Sequence, residues 1–79
     1  MMIEKNELER REWREIEPDV WVKTKFDSSI TLNLITGEGK AIIYKSKYGK
    51  LELGFCINAF PGLSEIEVFC IRFILLKEG

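Results

Sequence analysis

The chain changes its hydrophobic period at Pro18. Upstream, Leu8, Trp13 and Ile16 stand among charged residues. Downstream, Val20, Val22, Thr24 and Phe26 alternate with Asp19, Trp21, Lys23 and Lys25. A period near 3.6 marks a helix and a period of two a strand with one buried face. The pattern predicts a helix over 7–16 and a first strand over 19–26. Asn6 is a candidate N-cap with Glu9 three residues later. Glu7 and Arg11 form an i,i+4 pair in the favourable orientation, and Arg14 in the last turn suits the helix dipole. Pro18 disfavours helix at Glu17. Ten residues do not hold a helix alone, so Leu8, Trp13 and Ile16 are expected to dock on a neighbour.

Further along, Ile30, Leu32 and Leu34 alternate with Thr31 and Asn33, predicting a strand over 29–35. The glycine-rich TGEGK supplies a reversal, and KAIIYK a third strand over 40–45. After SKYGK, a fourth strand over 50–57 has the inward set Leu51, Leu53, Phe55 and Ile57. FPGL centres Pro61 and Gly62 in an expected type II turn. The last run, 65–77, reads as a fifth strand. It carries Val68, Cys70, Arg72, Ile74 and Leu76 on one face and Phe69, Ile71, Phe73 and Leu75 on the other. An antiparallel strand with one face in water should alternate, so this one is expected to be covered on both faces. The expected register sets Gly54 opposite Phe69, which keeps Cys56 and Cys70 on opposite faces. The expected fold class is α+β or mainly β. A short N-terminal helix precedes a five-stranded antiparallel meander, as a curled sheet or small barrel, in a single domain over 1–79.

Length bears on assembly. A domain of 79 residues buries only about 60% of its unfolded surface and commonly needs a disulfide, a metal or a partner subunit. Two cysteines and no histidine fall short of the four ligands of a usual zinc site, and no CxxC spacing occurs. Cys56 and Cys70 are read as reduced core thiols. Oligomerisation is the remaining aid, and Phe69, Ile71, Phe73 and Leu75 are the candidate subunit interface of a homodimer. Arg72, in mid-strand among apolar residues, reads as a buried charge that needs a carboxylate.

The net charge of −1 is unevenly spread. Residues 19–50 set six lysines against Asp19, Asp27 and Glu38, a net of +3, between two segments of net −2. Lys and Glu dominate while Gln and His are absent, a thermophile-like composition. Residues 1–17 show no apolar signal core, and the apolar run 68–76 is too short to span a bilayer. A cytoplasmic protein without membrane contact is expected.

Candidate chemistry is sparse. Without histidine the usual general base is missing. Gly37-Glu38-Gly39 has neither the spacing nor the following helix of a phosphate loop. No catalytic residue, metal ligand or cofactor is expected. Trp21, Lys23 and Lys25 share the expected outer face of the first strand, and Tyr44, Lys45, Lys47, Tyr48 and Lys50 cluster around a later turn. Aromatics among lysines can stack bases and hold phosphates. Arg10-x-x-x-Arg14 with Asp27-x-Ser29 resembles in outline the arginine and aspartate-serine motifs of PilZ cyclic-di-nucleotide receptors. Leu32 stands where those carry a glycine, and the spacing is short. A helix before five strands is similar in shape to Sm-like barrels, whose Asp, Asn and late Gly are missing here. Neither resemblance assigns a family. The expectation is a non-catalytic module acting through protein–protein contact, such as an inhibitor, immunity-type or accessory subunit. The alternatives are single-stranded nucleic-acid binding through the lysine/aromatic surface and, third, a small nucleotide-ligand receptor.

Overall fold

The computed structural model describes residues 3–78. A short helix α1 (Lys5–Arg10) leads into five strands, β1 (Arg14–Glu17), β2 (Val20–Lys25), β3 (Ser28–Asn33), β4 (Glu38–Ile43) and β5 (Leu51–Cys56). A 3₁₀ turn (Ile57–Ala59) then precedes the long helix α2 (Leu63–Glu78). The strands pair antiparallel in the order β1-β2-β3-β4-β5, an open meander with β1 and β5 as its free edges. The expected fold class holds as an N-terminal helix and a five-stranded meander, unclosed, with a second helix added.

That second helix corrects the reading of 65–77 as a strand. Leu63, Ile66, Cys70 and Ile74 are all buried, and their spacing of three, four and four is that of one helix face. An apolar run cannot be assigned by periodicity alone, and thirteen residues exceed an ordinary strand. The Pro61-Gly62 turn is corrected with it. Gly62 does not take the positive φ that a type II turn requires. Its carbonyl accepts the Ile66 N–H at 3.3 Å and so starts α2.

The fifth strand is found instead inside the expected first helix. Glu12 adopts φ 69°, Trp13 N–H donates to the Leu8 carbonyl at 2.9 Å and Glu12 N–H to that of Glu9 at 3.1 Å. Together these form a Schellman closure, completed by buried Leu8 and Trp13. Its left-handed residue is a glutamate rather than the usual glycine, so no glycine marks the stop there. The helix starts at Lys5 with Glu4 as N-cap, making no side-chain cap bond, rather than at Asn6. Ile16, expected to dock, is 56% exposed at a register shift between Glu15 and Glu17.

One face of the sheet carries the core. Ile30 and Leu32 on β3, Ala41 and Ile43 on β4, and the half-buried Leu51, Leu53 and Phe55 on β5 pack under α2, which lies chiefly over β4. The inward sets of 29–35 and 50–57 were read correctly. That of 19–26 was inverted, because β2 pairs Trp21 with Leu32 and Lys23 with Ile30. Trp21, Lys23 and Lys25 therefore share a face, as expected, but it is the helix-covered one. Gly39 lies opposite Phe55, and a Cβ at Gly39 would collide with that ring. Both cysteines are free; Cys70 is buried, whereas Cys56 is exposed rather than in the core.

Candidate functional site

Lys23 points inward on β2 because α2 presents a carboxylate to it. Glu67 is buried in the helix seam between Ile66 and Cys70. It accepts hydrogen bonds from Trp13 Nε1 at 2.7 Å, Arg11 Nη1 at 2.9 Å and Lys23 Nζ at 3.0 Å. Burial alone pushes the Glu67 carboxyl up. The hydrogen bonds from Trp13 and Lys23, the charge of Lys23 and the Arg11 bond outweigh that effect and hold it below the usual carboxylate range. One turn on, burial and then the Glu67 charge push the Cys70 thiol up to about 12. A thiol so protonated is no nucleophile. The cluster is a satisfied ionic pin that ties α2 to α1, β2 and the chain entering β1. The buried charge is thus Glu67; Arg72, read as buried, is exposed. Glu67 could have been found from sequence as the one acidic residue in a Leu63–Ile66–Cys70–Ile74 stripe.

The lysine/aromatic surface is redistributed. Trp21 is 3% exposed, its indole N–H without a partner among the described residues, so Trp21 and Lys23 leave the proposed surface. The remaining residues gather at one end of the sheet. Tyr44 N–H donates to the Asp27 carbonyl at 2.9 Å, Lys45 approaches the Asp27 carboxylate at 3.7 Å, and Lys47 lies over the Tyr48 ring at 5.1 Å. Lys50 pairs with Glu52 at 3.0 Å, and Lys25 stands 5.8 Å from the ring of Phe26. Phe26, exposed in the β2–β3 turn, was missed by the sequence reading. Of the outline motif, Arg10 and Arg14 sit on α1 and β1 and Ser29 is buried. Among the described residues no group of acidic, Cys or His side chains could hold a metal ion. No described helix is long and apolar enough to cross a membrane.

The most distinctive surface belongs to α2. Four residues taken as one strand face divide on a helix, where a step of two turns the side chain by about 200°. Phe69 and Phe73 fall on the flank toward β5, and Ile71 and Leu75 on the other. Phe69 packs edge-on against Phe55 (centroids 6.0 Å) and tilted against Phe60 (5.1 Å), yet remains 39% exposed. Phe60, Ser64, Glu65, Val68, Phe69 and Arg72 line a shallow groove along the helix. Val68, Leu75 and Leu76 are exposed as well, Leu76 to 79%. The four residues expected as a subunit interface therefore do not share one face, and the exposed large apolar residues of α2 are Val68, Phe69, Leu75 and Leu76. No protein-family model, curated protein or solved structure matches the chain.

Proposed function

We propose that this protein is a non-catalytic binding module that engages another protein through the outer face of α2. The observation that carries the reading is the exposure of Val68, Phe69, Leu75 and Leu76 on a helix whose inner side is already filled by Leu63, Ile66, Cys70 and Ile74. Isolated exposed leucines are ordinary, but four large apolar side chains exposed on one helix, on either side of Glu65 and Arg72 and beside a groove, mark an interaction site. The ionisable groups nearest to chemistry support the same reading. Glu67 is saturated by three donors, and Cys70 is held protonated. An inhibitor, immunity-type or accessory subunit needs no more than such a face. The test replaces two exposed residues together, Leu75→Glu and Leu76→Glu. The variant keeps the wild-type melting temperature but loses the protein associations of the wild type, followed by sedimentation and by recovery of tagged chain from an extract. Associations unchanged in the folded variant would refute the assignment to α2.

A second reading rests on the opposite end of the sheet. Phe26, Tyr44 and Tyr48 are exposed to 72%, 56% and 66% around Lys25, Lys45, Lys47 and Lys50. That combination suits stacking on single-stranded nucleic acid. Against it, Asp27 and Glu52 already engage Lys45, Lys50 and Lys40. A salt-sensitive mobility shift that Tyr48→Ala removes would favour this reading over the first.

A further inference from the structure

We propose that the partner is a second copy of this chain, joined along β5 about a twofold axis at Gly54, so that the two sheets run on as one. This rests on the protein-binding reading and names its occupant. The two free edges are built differently. β1 has four residues, a register shift and Pro18 beyond it, and three of its residues are charged. Charges, irregularity and proline are the usual protections of an edge. β5 has six residues in regular register and only Glu52 charged.

The hydrogen-bond phase of β5 shows which groups are free. Ile57 N–H donates to the Gly37 carbonyl at 2.8 Å, in step with the register that pairs Cys56 with Glu38. Bonded pairs alternate along an antiparallel ladder. Leu51, Leu53 and Phe55 therefore bond to β4, while Glu52, Gly54 and Cys56 turn their N–H and C=O groups to the open edge. This set is self-complementary. With Gly54 opposite the second copy's Gly54, each Glu52 faces the other copy's Cys56, and all three residues bond across the axis. No like charges meet, and Leu53 faces the second copy's Phe55 on the inner side.

The α2 flank stands above this same edge. Glu65, Phe69, Arg72 and Leu76 recur at helical spacing along the outer side of α2, and Phe69 is held toward β5 by its contact with Phe55. A twofold axis beside Phe55 sets the two helices antiparallel with Phe69 nearest the axis. Glu65, one turn before it, then faces the second copy's Arg72, one turn after it. Neither residue has an ion-pair partner among the described residues. The strand is about 20 Å long, and the α2 flank above it adds to the surface the two copies would bury.

Two sets of variants test the pairing. Glu52→Cys places a thiol opposite the second copy's native Cys56, with Cα atoms about 5.5 Å apart in a bonded pair, inside the range a disulfide spans. Oxidised glutathione should convert this variant to a covalent dimer and leave the wild type, whose Cys56 faces Glu52, uncrosslinked. Gly54→Glu fits the single chain, since its Cβ would meet only the Gly39 carbonyl at 4.0 Å, but it opposes two carboxylates across the axis. It should weaken self-association at least tenfold at low salt, and mixing it with Gly54→Lys chains should restore association. A folding defect could not give that rescue. A wild type that stays monomeric over a hundredfold concentration range overturns the proposal. So does self-association that Leu75→Glu/Leu76→Glu abolishes while Glu52→Cys fails to cross-link, an outcome that leaves the α2 reading standing.

Discussion

Replacing Glu67 with alanine should be the most damaging single polar change in this protein. The substitution removes a buried carboxylate and strands three donors at once. Trp13 is 2% exposed, so its indole N–H loses a 2.7 Å bond with no water to replace it, a cost of about 1–3 kcal/mol. The Lys23 side chain is 22% exposed and can bend its ammonium toward solvent, which softens its loss. Arg11 keeps Glu7 at 3.5 Å. Breaking a fully buried pair costs about 3–5 kcal/mol, and partial exposure of both cations places Glu67→Ala near the lower end, about 3 kcal/mol. In a chain of this size that lowers the melting temperature by roughly 12–24 °C. Glu67→Gln keeps an acceptor oxygen for Trp13 but loses the charge and turns its NH2 toward Arg11, so it should cost about half as much. Urea unfolding followed by tryptophan fluorescence reads both, at one fixed protein concentration so that the proposed self-association would not bias the comparison. The pH dependence follows from the sign of the shift. The folded Glu67 carboxyl lies below its ordinary value of 4.5, so the unfolded chain binds the proton more readily. Its stabilisation is complete above about pH 5 and is lost as pH falls through the folded value. Glu67→Gln should therefore show a shallower acid limb. A cost below about 1 kcal/mol for Glu67→Ala, or identical acid limbs, would refute the pinning role.

Glu12 holds a left-handed conformation at φ 69°, which costs an L-residue roughly 1–2 kcal/mol. Glu12→Gly should stabilise the fold by about 0.5–1 kcal/mol in urea, the remainder being offset by the freer unfolded chain. Gly39→Ala should destabilise by about 1–3 kcal/mol because the added methyl displaces Phe55, and pairing it with Phe55→Leu should recover part of that loss.

The meander was legible because its turns and inner sets are locally encoded. Asn33 Oδ1 accepts the N–H groups of Ile35 and Thr36 at 3.0 and 3.1 Å, and Gly37 takes φ 78°, which only a residue without a side chain adopts freely. Leu51, Leu53 and Phe55 face inward as a period of two requires. The errors arose where a tertiary partner overrode the local signal. Lys23 faces inward because Glu67 waits there, forty-four residues away, so alternation on β2 gave the wrong face. Glu12 ends α1 without glycine because Leu8 and Trp13 bury themselves in the same core. The candidate site suffered most, since Trp21 and Lys23 were placed by the inverted face of β2 and Arg72 by the strand reading of 65–77.

A single polar residue accounts for the rotation of α2, and through it for the exposed face. Apolar residues surround this helix almost completely: Phe69 and Phe73 toward β5, Ile71 and Leu75 on the other flank, Val68 and Leu76 outward. Hydrophobic burial alone would reward several rotations about equally, because Phe69 or Leu75 buried is worth about as much as Ile66 or Ile74. Glu67 breaks that degeneracy. Only one rotation brings its carboxylate within 3.0 Å of Trp13, Arg11 and Lys23 together, and any other forgoes those three bonds. That rotation turns Val68 and Leu76 out and sets Phe69 over Phe55 beside the open edge. The paired substitution Lys23→Leu with Glu67→Leu removes the constraint without stranding a charge. It should retain or gain unfolding free energy, since apolar replacement of a buried pair is often neutral or favourable. Yet it should lose the near-ultraviolet circular dichroism of a fixed Trp13 and weaken self-association. A double variant with unchanged Trp13 signal and unchanged assembly would show that packing, rather than the ionic pin, orients the helix.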